Sequence, residues 1–483
     1  MASTYPRPVA SVALNRLGSS FFASVTWKSH TQYRNVTTKA QVVTQAPPPH
    51  SLIPNTMLWR SLLITTVSAH RLLLSPALSL LGVLSKPRHS MFDVEKNPLL
   101  RSILKWTLYN HFCAGENARE VRATIDRIKS MGFKGVILTY AAEVVVEKAA
   151  ESNTKTKMMQ SVREGRSMAV PEEVPYDSAI EMWRSGVLET VKMIGSGDYL
   201  ALKLTGAGPG VARALETGQP VPPQMIEALD DVCQEAVERD ASILIDAEQH
   251  FVQKGIDRIA FILMRKYNRG EKAVVYNTYQ AYLKMTPQVL LEHLLQAQDE
   301  NITIGVKLVR GAYINSEPRS LINDTKEDTD NAYDMIARDI LCRRFSSPGF
   351  IHRPFPRIQL FLATHNRASV VKAYEVQQRQ SAEGQDLVLV HYGQLLGMAD
   401  EVSCTLLQLK EKASDEGSVV PEAYKCLSWG TLSECLSYLL RRAVENRDAV
   451  QRTREEYFAL RREAFRRLAG GKSHIRQSST SAS

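Results

Sequence analysis

Two apolar rhythms alternate along this chain of 483 residues. From Phe133 onward, short runs rich in Val, Ile, Leu and Tyr are followed by longer stretches whose apolar positions recur every three to four residues. The short runs fall at 135–142, 199–205, 242–246, 273–278, 303–309, 358–363, 387–391 and 423–429. The eighth is the least regular, because Lys425 and Ser428 interrupt it. Helical spacing follows each run, at 178–194, 223–239, 251–269, 287–299, 328–345, 367–380, 401–412 and 432–469. Strand–helix alternation implies a parallel sheet, and eight repeats predict an α/β fold, a closed (β/α)8 TIM barrel over 133–470.

The barrel is preceded by a helical arm at 51–132. Its first part, 52–84, is strongly apolar but is broken by His70, Arg71 and Pro76. A spanning helix needs about 20 predominantly apolar residues, and a central Arg is expensive there. One or two helices packing on the barrel or lying at a membrane surface are therefore expected. Asn97-Pro98 reads as a helix start, with Asn as N-cap and Pro at the first helical position. Ala118, Val121, Ile125 and Ile128 mark a second helix ending near Gly132. The polar stretch 144–176 is too long for an ordinary connection and predicts a mobile insertion, and 471–483 predicts a disordered tail.

Charge changes this picture at one end. The formal net charge is +9, yet no Asp or Glu occurs before Asp93. Nine of the 60 basic residues lie in the first 92 positions, and the other 51 balance the 51 acidic residues. A basic, Ser/Thr-rich, acid-free leader over 1–50, closed by Pro47-Pro48-Pro49, has the composition of a mitochondrial transit peptide. The neutral body argues against a nucleic-acid partner. Six widely spaced cysteines without a CxxC pair exclude a zinc ribbon and a disulfide scaffold. The acid-rich 324–334 lacks the glycine and terminal Glu of a calcium loop and reads as a helix start, so no metal is expected. Gly206, Gly208 and Gly210 miss the dinucleotide spacing and read as a tight loop.

Barrel chemistry belongs to the C-terminal ends of the strands. Six consecutive runs end in polar groups there: Lys203 and Thr205; Asp246 and Glu248; Asn277 to Gln280; Lys307 and Arg310 to Tyr313; Thr364, His365 and Asn366; His391 to Gln394. On the last helix Tyr438, Arg441, Arg442 and Glu445 share one face. Paired arginines beside an aromatic ring suit an α-amino acid, since guanidinium forks bind carboxylates. Read from these residues alone, a Schiff-base aldolase using Lys203 and a non-catalytic membrane-surface scaffold driven by 52–84 are rival functions.

An ordered set of motifs resembles the proline dehydrogenase family, its mitochondrial fungal-type branch above all. The carrying residues are Phe112-Cys-Ala-Gly-Glu116, Leu202-Lys-Leu-Thr205, Ile245-Asp-Ala-Glu-Gln249, Tyr276-Asn-Thr-Tyr-Gln280, Val306-Lys-Leu-Val-Arg-Gly-Ala-Tyr313, Thr364-His-Asn366, Gly393-Gln-Leu-Leu-Gly-Met398 and Tyr438-Leu-Leu-Arg-Arg-Ala-Val-Glu-Asn446. The resemblance implies a distorted barrel holding noncovalent FAD. It further implies oxidation of L-proline to Δ1-pyrroline-5-carboxylate and electron delivery to ubiquinone at the matrix side of the inner mitochondrial membrane.

Carried over by residue, the resemblance gives Arg441 and Arg442 the substrate carboxylate, with Lys203 adding charge. Glu445 would orient the arginines or meet the amine, and Asp246 would sit beside the substrate nitrogen or fix Lys203. Leu308, Tyr313, Leu395 and Tyr438 would wall the ring. Asn277, Lys307, Val309, Gly311, Ala312, Thr364, His365, Asn366 and Arg442 would hold FAD, with Gln280 or Gln394. The chain departs from the family pattern at Cys426 and Ser428, where many members have Tyr and Pro. Tyr424 or Trp429 is the expected substitute wall, and the choice between proline and hydroxyproline stays open.

Overall fold

A computed structural model describes residues 47–86, 89–141, 176–345, 354–416, 418–447 and 450–470, without the side chains of 71, 90, 415–416, 445–447 and 450–452. Nearly all of the predicted leader and of the predicted insertion, and the whole predicted tail, lie outside these residues.

All eight strands form, in chain order: β1 Gly135–Tyr140, β2 Tyr199–Leu202, β3 Ser242–Ile245, β4 Val275–Gln280, β5 Ile304–Val309, β6 Ile358–Ala363, β7 Leu389–Leu395 and β8 Glu422–Trp429. They pair in parallel and in sequence, and β8 closes the barrel on β1 through Gly135–Tyr424 and Ile137–Cys426. The irregular eighth run is thus the longest strand. Its Lys425 is only 2% exposed because it meets an equally buried Asp400, and Ser428 sits where the arm adds a parallel bridge from Cys113.

The arm contributes α1 Asn55–Ala69, α2 Arg71–Ser85, α3 Pro98–Leu104 and α4 Ala118–Ser130. Asn97 caps α3, its side chain accepting from the Leu100 amide at 3.1 Å. Around the barrel follow α5 Ser178–Val191, α6 Pro209–Thr217, α7 Pro223–Glu238, α8 His250–Tyr267, α9 Thr286–Asp299, α10 Lys326–Leu341, α11 Arg367–Ala382 and α12 Asp400–Glu416. The chain ends in α13 Leu432–Arg447 and α14 Val450–Leu468. The acid-rich stretch is the start of α10, where Thr325 and Asp328 form a reciprocal capping box. The glycines after β2 do not make a loop alone: a 3₁₀ turn, Leu204–Ala207, leads straight into α6.

Strand parity organises the interior. Tyr199, Tyr276, Phe361 and Tyr424 come from alternate strands and fill the barrel floor, with Tyr199 centroids 5.6, 5.0 and 5.2 Å from the other three rings. Gly305 leaves room for them, since a Cβ there would strike Tyr276 and the Val275 carbonyl. His391 belongs to this floor, bonded to Tyr199 and Glu422, and not to the mouth. The expected run 387–391 was set too early; β7 continues to Leu395. The His391 contact holds the Glu422 carboxyl down to about 2.

The arm packs where it can position α13. Glu116 binds Arg101 and Lys105 and accepts from the Leu432 amide at 3.0 Å, so a carboxylate caps the N-terminus of α13. Leu81, Leu84, Leu104, Tyr109 and Cys113 of the arm share a buried cluster with Leu432, Cys435, Leu436 and Leu439. Behind β8, Lys425 donates to Asp400 at 3.0 Å, Ser61 of α1 donates to the same carboxylate at 3.3 Å, and His111 bonds the Gly397 carbonyl at 3.0 Å. Burial alone would raise Asp400, but Lys425 outweighs it and holds the carboxyl below its ordinary value. Burial pushes His111 down to about 4, so it stays neutral.

Removing one partner of a buried pair strands the other charge. Lys425→Met should therefore destabilise the protein by about 3–5 kcal/mol in urea unfolding, and adding Asp400→Leu should recover much of the loss. A single variant within about 1 kcal/mol of wild type would refute this role.

Candidate active site

The C-terminal mouth is built from side chains of inward parity. Asp246 follows β3, and Lys307 lies in β5; the strand between them is β4. The Lys307 ammonium nevertheless reaches the Asp246 carboxylate at 2.6 Å, so the pair bridges the lumen face of β4. Lys203, at the end of β2, acts electrostatically on the buried Glu248, as does Asp246. Glu248 also accepts from the Thr205 amide at 3.2 Å and from its hydroxyl. Burial, reinforced by Asp246, raises the Glu248 carboxyl above its ordinary value despite Thr205 and Lys203.

The opposite wall is β8 and α13. Cys426 faces inward, and burial pushes its thiol up to about 11, against the lowering effects of Lys307 and Arg442 and with Asp246 adding to the rise. These influences place Cys426, Lys307, Asp246 and Arg442 in one neighbourhood. The Arg442 guanidinium stands 5.5 Å from the Tyr438 ring centroid. Burial raises the Tyr438 phenol, which also interacts with Cys426 and Ser428. Arg441 is the neighbouring half-buried guanidinium on α13. The Glu445 side chain lies outside the described residues.

The remaining wall is the ends of β4 to β7. Gln280 donates to the Glu248 carbonyl at 2.9 Å and accepts from the Ala312 amide at 3.3 Å. Val309 pairs with Gln280 and shares its inward face. Gly311 has φ +143°, and a Cβ there would collide with the Tyr282 ring, so only glycine allows this backbone to pass so close. Tyr313 opens the following turn, its carbonyl accepting from Ser316 and Glu317. Leu395 pairs with Cys426, and its amide donates to His365 Nε2 at 3.2 Å.

Three expected site residues face the other way. Asn277 lies level with Ile245 and Val306, which pack in the outer shell, and its amide donates to Asp257 of α8 at 2.8 Å. Leu308, one residue from inward Lys307, is buried in the same shell. Gln394, between inward Gly393 and Leu395, accepts from Ser403 of α12. Of the Gln280 and Gln394 alternatives, only Gln280 has inward parity. Thr364 and Asn366 spend their side chains on the turn: Thr364 accepts from Arg310 and the Asn366 amide, and Asn366 caps α11. The substitute aromatic wall is also absent. Tyr424 lies in the floor, and Trp429 points outward to Thr190 at 3.0 Å.

Two mouth residues were named from the sequence without being given a role. Glu248 lies two positions beyond Asp246, in the loop after β3, and is buried against Thr205. Cys426 was noted as a departure from a family pattern without being given a role. Among the described residues no group of three or more His, Cys, Asp or Glu is arranged to hold a metal.

An eight-stranded parallel barrel with cations, carboxylates and an aromatic ring gathered at its C-terminal mouth is the active-site architecture of a barrel enzyme. A family model described as "Proline dehydrogenase" matches residues 121–455, and the chain belongs to that family. It is 30% identical over 415 residues to "Probable proline dehydrogenase, mitochondrial" of Schizosaccharomyces pombe, covering 76% of this chain and 81% of the relative. It is also 30% identical over 405 residues to "Hydroxyproline dehydrogenase" of Rattus norvegicus, covering 76% and 83%. Among solved structures, proline utilization A from Bdellovibrio bacteriovorus shares the fold with a TM-score of 0.54 at 16% identity, over 84% of this chain and 39% of that one.

The residues in the mouth fit a flavin: one cation anchored by a carboxylate, a half-buried imidazole, and bare backbone at Gly311, where a side chain cannot be added. The Lys307–Asp246 bond should couple the two positions in stability. A cycle of Lys307→Met and Asp246→Asn, read by urea unfolding, should give a coupling of about 1 kcal/mol or more; additive losses would remove the bridge from the site's framework.

Proposed function

We propose that the chain oxidises L-proline to Δ1-pyrroline-5-carboxylate, with noncovalent FAD in the barrel mouth and a quinone as final acceptor. The convergence of Arg442, Lys307 and Asp246 around Cys426 carries this reading. Lys307, Gln280, Val309, Gly311, Ala312 and His365 would hold the flavin, with Thr364, Asn366 and Arg442 shaping its surroundings. When bound, it supplies the two-electron chemistry by accepting hydride from the ring carbon beside nitrogen.

The chain's own residues do the rest. Arg441 and Arg442 fix the substrate carboxylate, and planar guanidinium forks also set its orientation. Lys203 adds positive potential at the same end. Tyr438, Tyr313 and Leu395 enclose the aliphatic ring and exclude water. The substrate nitrogen must lose a proton before carbon can give up hydride, and in this reading Asp246, bonded to Lys307, is the carboxylate beside it. Holding the donor carbon in a single pose is the main rate contribution this site can make.

The acid-free leader and the relatives named mitochondrial support a mitochondrial address. The arm supports the membrane-surface part of this reading, at the matrix face of the inner membrane. Among the described residues no single helix is long and apolar enough to cross a bilayer; α1 and 72–85 qualify only as a pair bent by 102°. That bent pair exposes Trp59, Leu63, Leu72, Leu73, Leu80 and Val83, with Leu72 91% exposed, and contains no acidic residue. Such a face suits shallow insertion at an anionic bilayer surface.

A second substrate is favoured by one observation. Cys426 and Ser428 put two small polar side chains beside Tyr438, in a chain as similar to hydroxyproline dehydrogenase as to proline dehydrogenase. A 4-hydroxylated ring would fit the same clamp.

Purified in detergent, the protein should show a flavin spectrum that L-proline bleaches anaerobically; absent flavin, or flavin indifferent to proline and hydroxyproline, defeats the proposal. Arg441→Met and Arg442→Met should each raise KM for proline roughly 30-fold or more, from the loss of about 2–5 kcal/mol. An unchanged KM in both would remove the carboxylate clamp. Cys426→Tyr should cut kcat/KM for hydroxyproline relative to proline by about tenfold or more. No change in that ratio would deny Cys426 a part in selectivity.

A further inference from the structure

We propose that Glu317 is a positioning residue: its buried carboxylate latches the loop after β5 to the start of α8, and so holds Tyr313 in place against the substrate ring. The inference rests on the proline dehydrogenase reading for what Tyr313 touches, and adds to it a residue that reading does not use.

From Gly311 to Ser320 the loop faces solvent almost throughout. Ile314 is 61% exposed, Tyr313 is half-buried, and Glu317 is the one buried residue in this stretch. No apolar side chain anchors it; a carboxylate does, and that side chain has no exposed surface. Taking a carboxylate out of water is costly unless its oxygens are bonded. Both are bonded here, and both to His250. Oε1 accepts from the His250 backbone amide at 2.8 Å, and Oε2 is bonded to His250 Nδ1. His250 opens α8, so this amide is a first-turn donor that no helix carbonyl can satisfy, and the positive end of the helix favours the negative charge.

Topology decides what the latch joins. α8 starts two residues after Glu248, so its first turn ends the loop that carries Asp246 and Glu248. The loop after β5 lies two strands away and must pass over the loop after β4 to reach it. The root of this crossing is held by other contacts. The Tyr282 amide donates to the Arg310 carbonyl at 2.7 Å, Gly311 lies against the Tyr282 ring, and Gln280 bridges Ala312 to Glu248. The turn beyond the root is different. The Ser316 and Glu317 amides close on the Tyr313 carbonyl at 2.9 and 3.0 Å, which makes Tyr313 and Glu317 the two ends of one turn. Releasing the carboxylate therefore releases the ring. The Lys307–Asp246 bond ties the same two walls within the barrel, and Glu317 ties them at the rim. Since Glu317 touches no reacting atom, its loss weakens the hold on substrate and leaves the hydride step alone.

The test compares the flavin-loaded full chain with Glu317→Ala and Glu317→Gln. Glutamine has the shape to keep both bonds to His250, and alanine keeps neither. Glu317→Ala should raise KM for proline by about tenfold or more while kcat per bound flavin stays within about threefold, and Glu317→Gln should bring KM back to within about threefold of wild type. In a Tyr313→Ala background, Glu317→Ala should raise KM by less than about twofold, because the ring it holds is gone. An unchanged KM in Glu317→Ala, a loss confined to kcat, or KM factors that multiply in the double variant overturns the proposal. Amide hydrogen exchange supplies a readout that does not depend on turnover. Exchange should rise in Glu317→Ala at the peptides covering 311–317 and 247–252, and at neither in Glu317→Gln. Unchanged exchange at either peptide in Glu317→Ala overturns the latch. A wild-type protein that does not oxidise proline counts against the proline reading alone, and exchange then still decides the latch.

Discussion

The architecture turns on an ion pair that touches no substrate. Lys425 and Asp400 meet at 3.0 Å behind β8, in a space where the two residues are 2% and 4% exposed. β8 is the strand on which the barrel closes, and Lys425 is its outward residue one step from inward Cys426. Fixing Lys425 therefore fixes which residues of β8 face the mouth, because a one-residue slip would exchange the two faces. The same carboxylate receives Ser61 from the arm, so the closure of the barrel and the docking of the arm share one anchor. The arm in turn caps α13 through Glu116 and packs on its buried side. Tyr438, Arg441 and Arg442 are thus held over the mouth from outside the barrel.

Within the barrel, parity does the sorting. The floor is closed by four aromatic rings, which leave the upper lumen to short side chains such as Ala201, Thr278, Ala363 and Cys426. Above them lies the Lys307–Asp246 bridge. A cation held by its own carboxylate keeps its place without a ligand and still presents positive potential to one. On the β2–β3 side, Lys203 stands near enough to the buried Glu248 to act on it electrostatically. The site is therefore framed by charges that act on one another, with the arginines of α13 on the facing wall.

Much of this was legible in the sequence. Eight strands and their helices follow from apolar periodicity, since a parallel barrel buries both faces and each strand reads as an apolar run. The eighth was faint because its Lys425 and Ser428 are satisfied by Asp400 and the arm, which are remote in sequence. The mouth was legible as a set of strand ends, but not as a set of side chains. Asn277, Leu308 and Gln394 belong to motifs that resemble a known family, and a motif does not say which of its residues points inward. Alternation does: once Lys307 is inward, Leu308 must be outward, and the lateral pairing carries that parity from β5 to β4. Register was the missing quantity, and only the closed barrel supplies it.

The composition of the mouth also bears on what it can discriminate. A ring-hydroxylated substrate differs from its parent by one polar group, and an apolar wall rejects such a group only weakly, whereas a full-sized side chain at the same place rejects it by volume. Cys426 offers neither bulk nor a good hydrogen bond; its thiol, raised to about 11 by burial, stays neutral beside Lys307 and Arg442. Ser428 adds a hydroxyl already engaged with Tyr438. In the proposed reading, β8 lacks a side chain large enough to reject a hydroxylated ring by volume, and what selectivity remains falls to how tightly α13 closes over the ring. Because α13 is positioned by Glu116 and the arm cluster, the arm with its exposed apolar face is mechanically joined to the helix that carries Tyr438, Arg441 and Arg442.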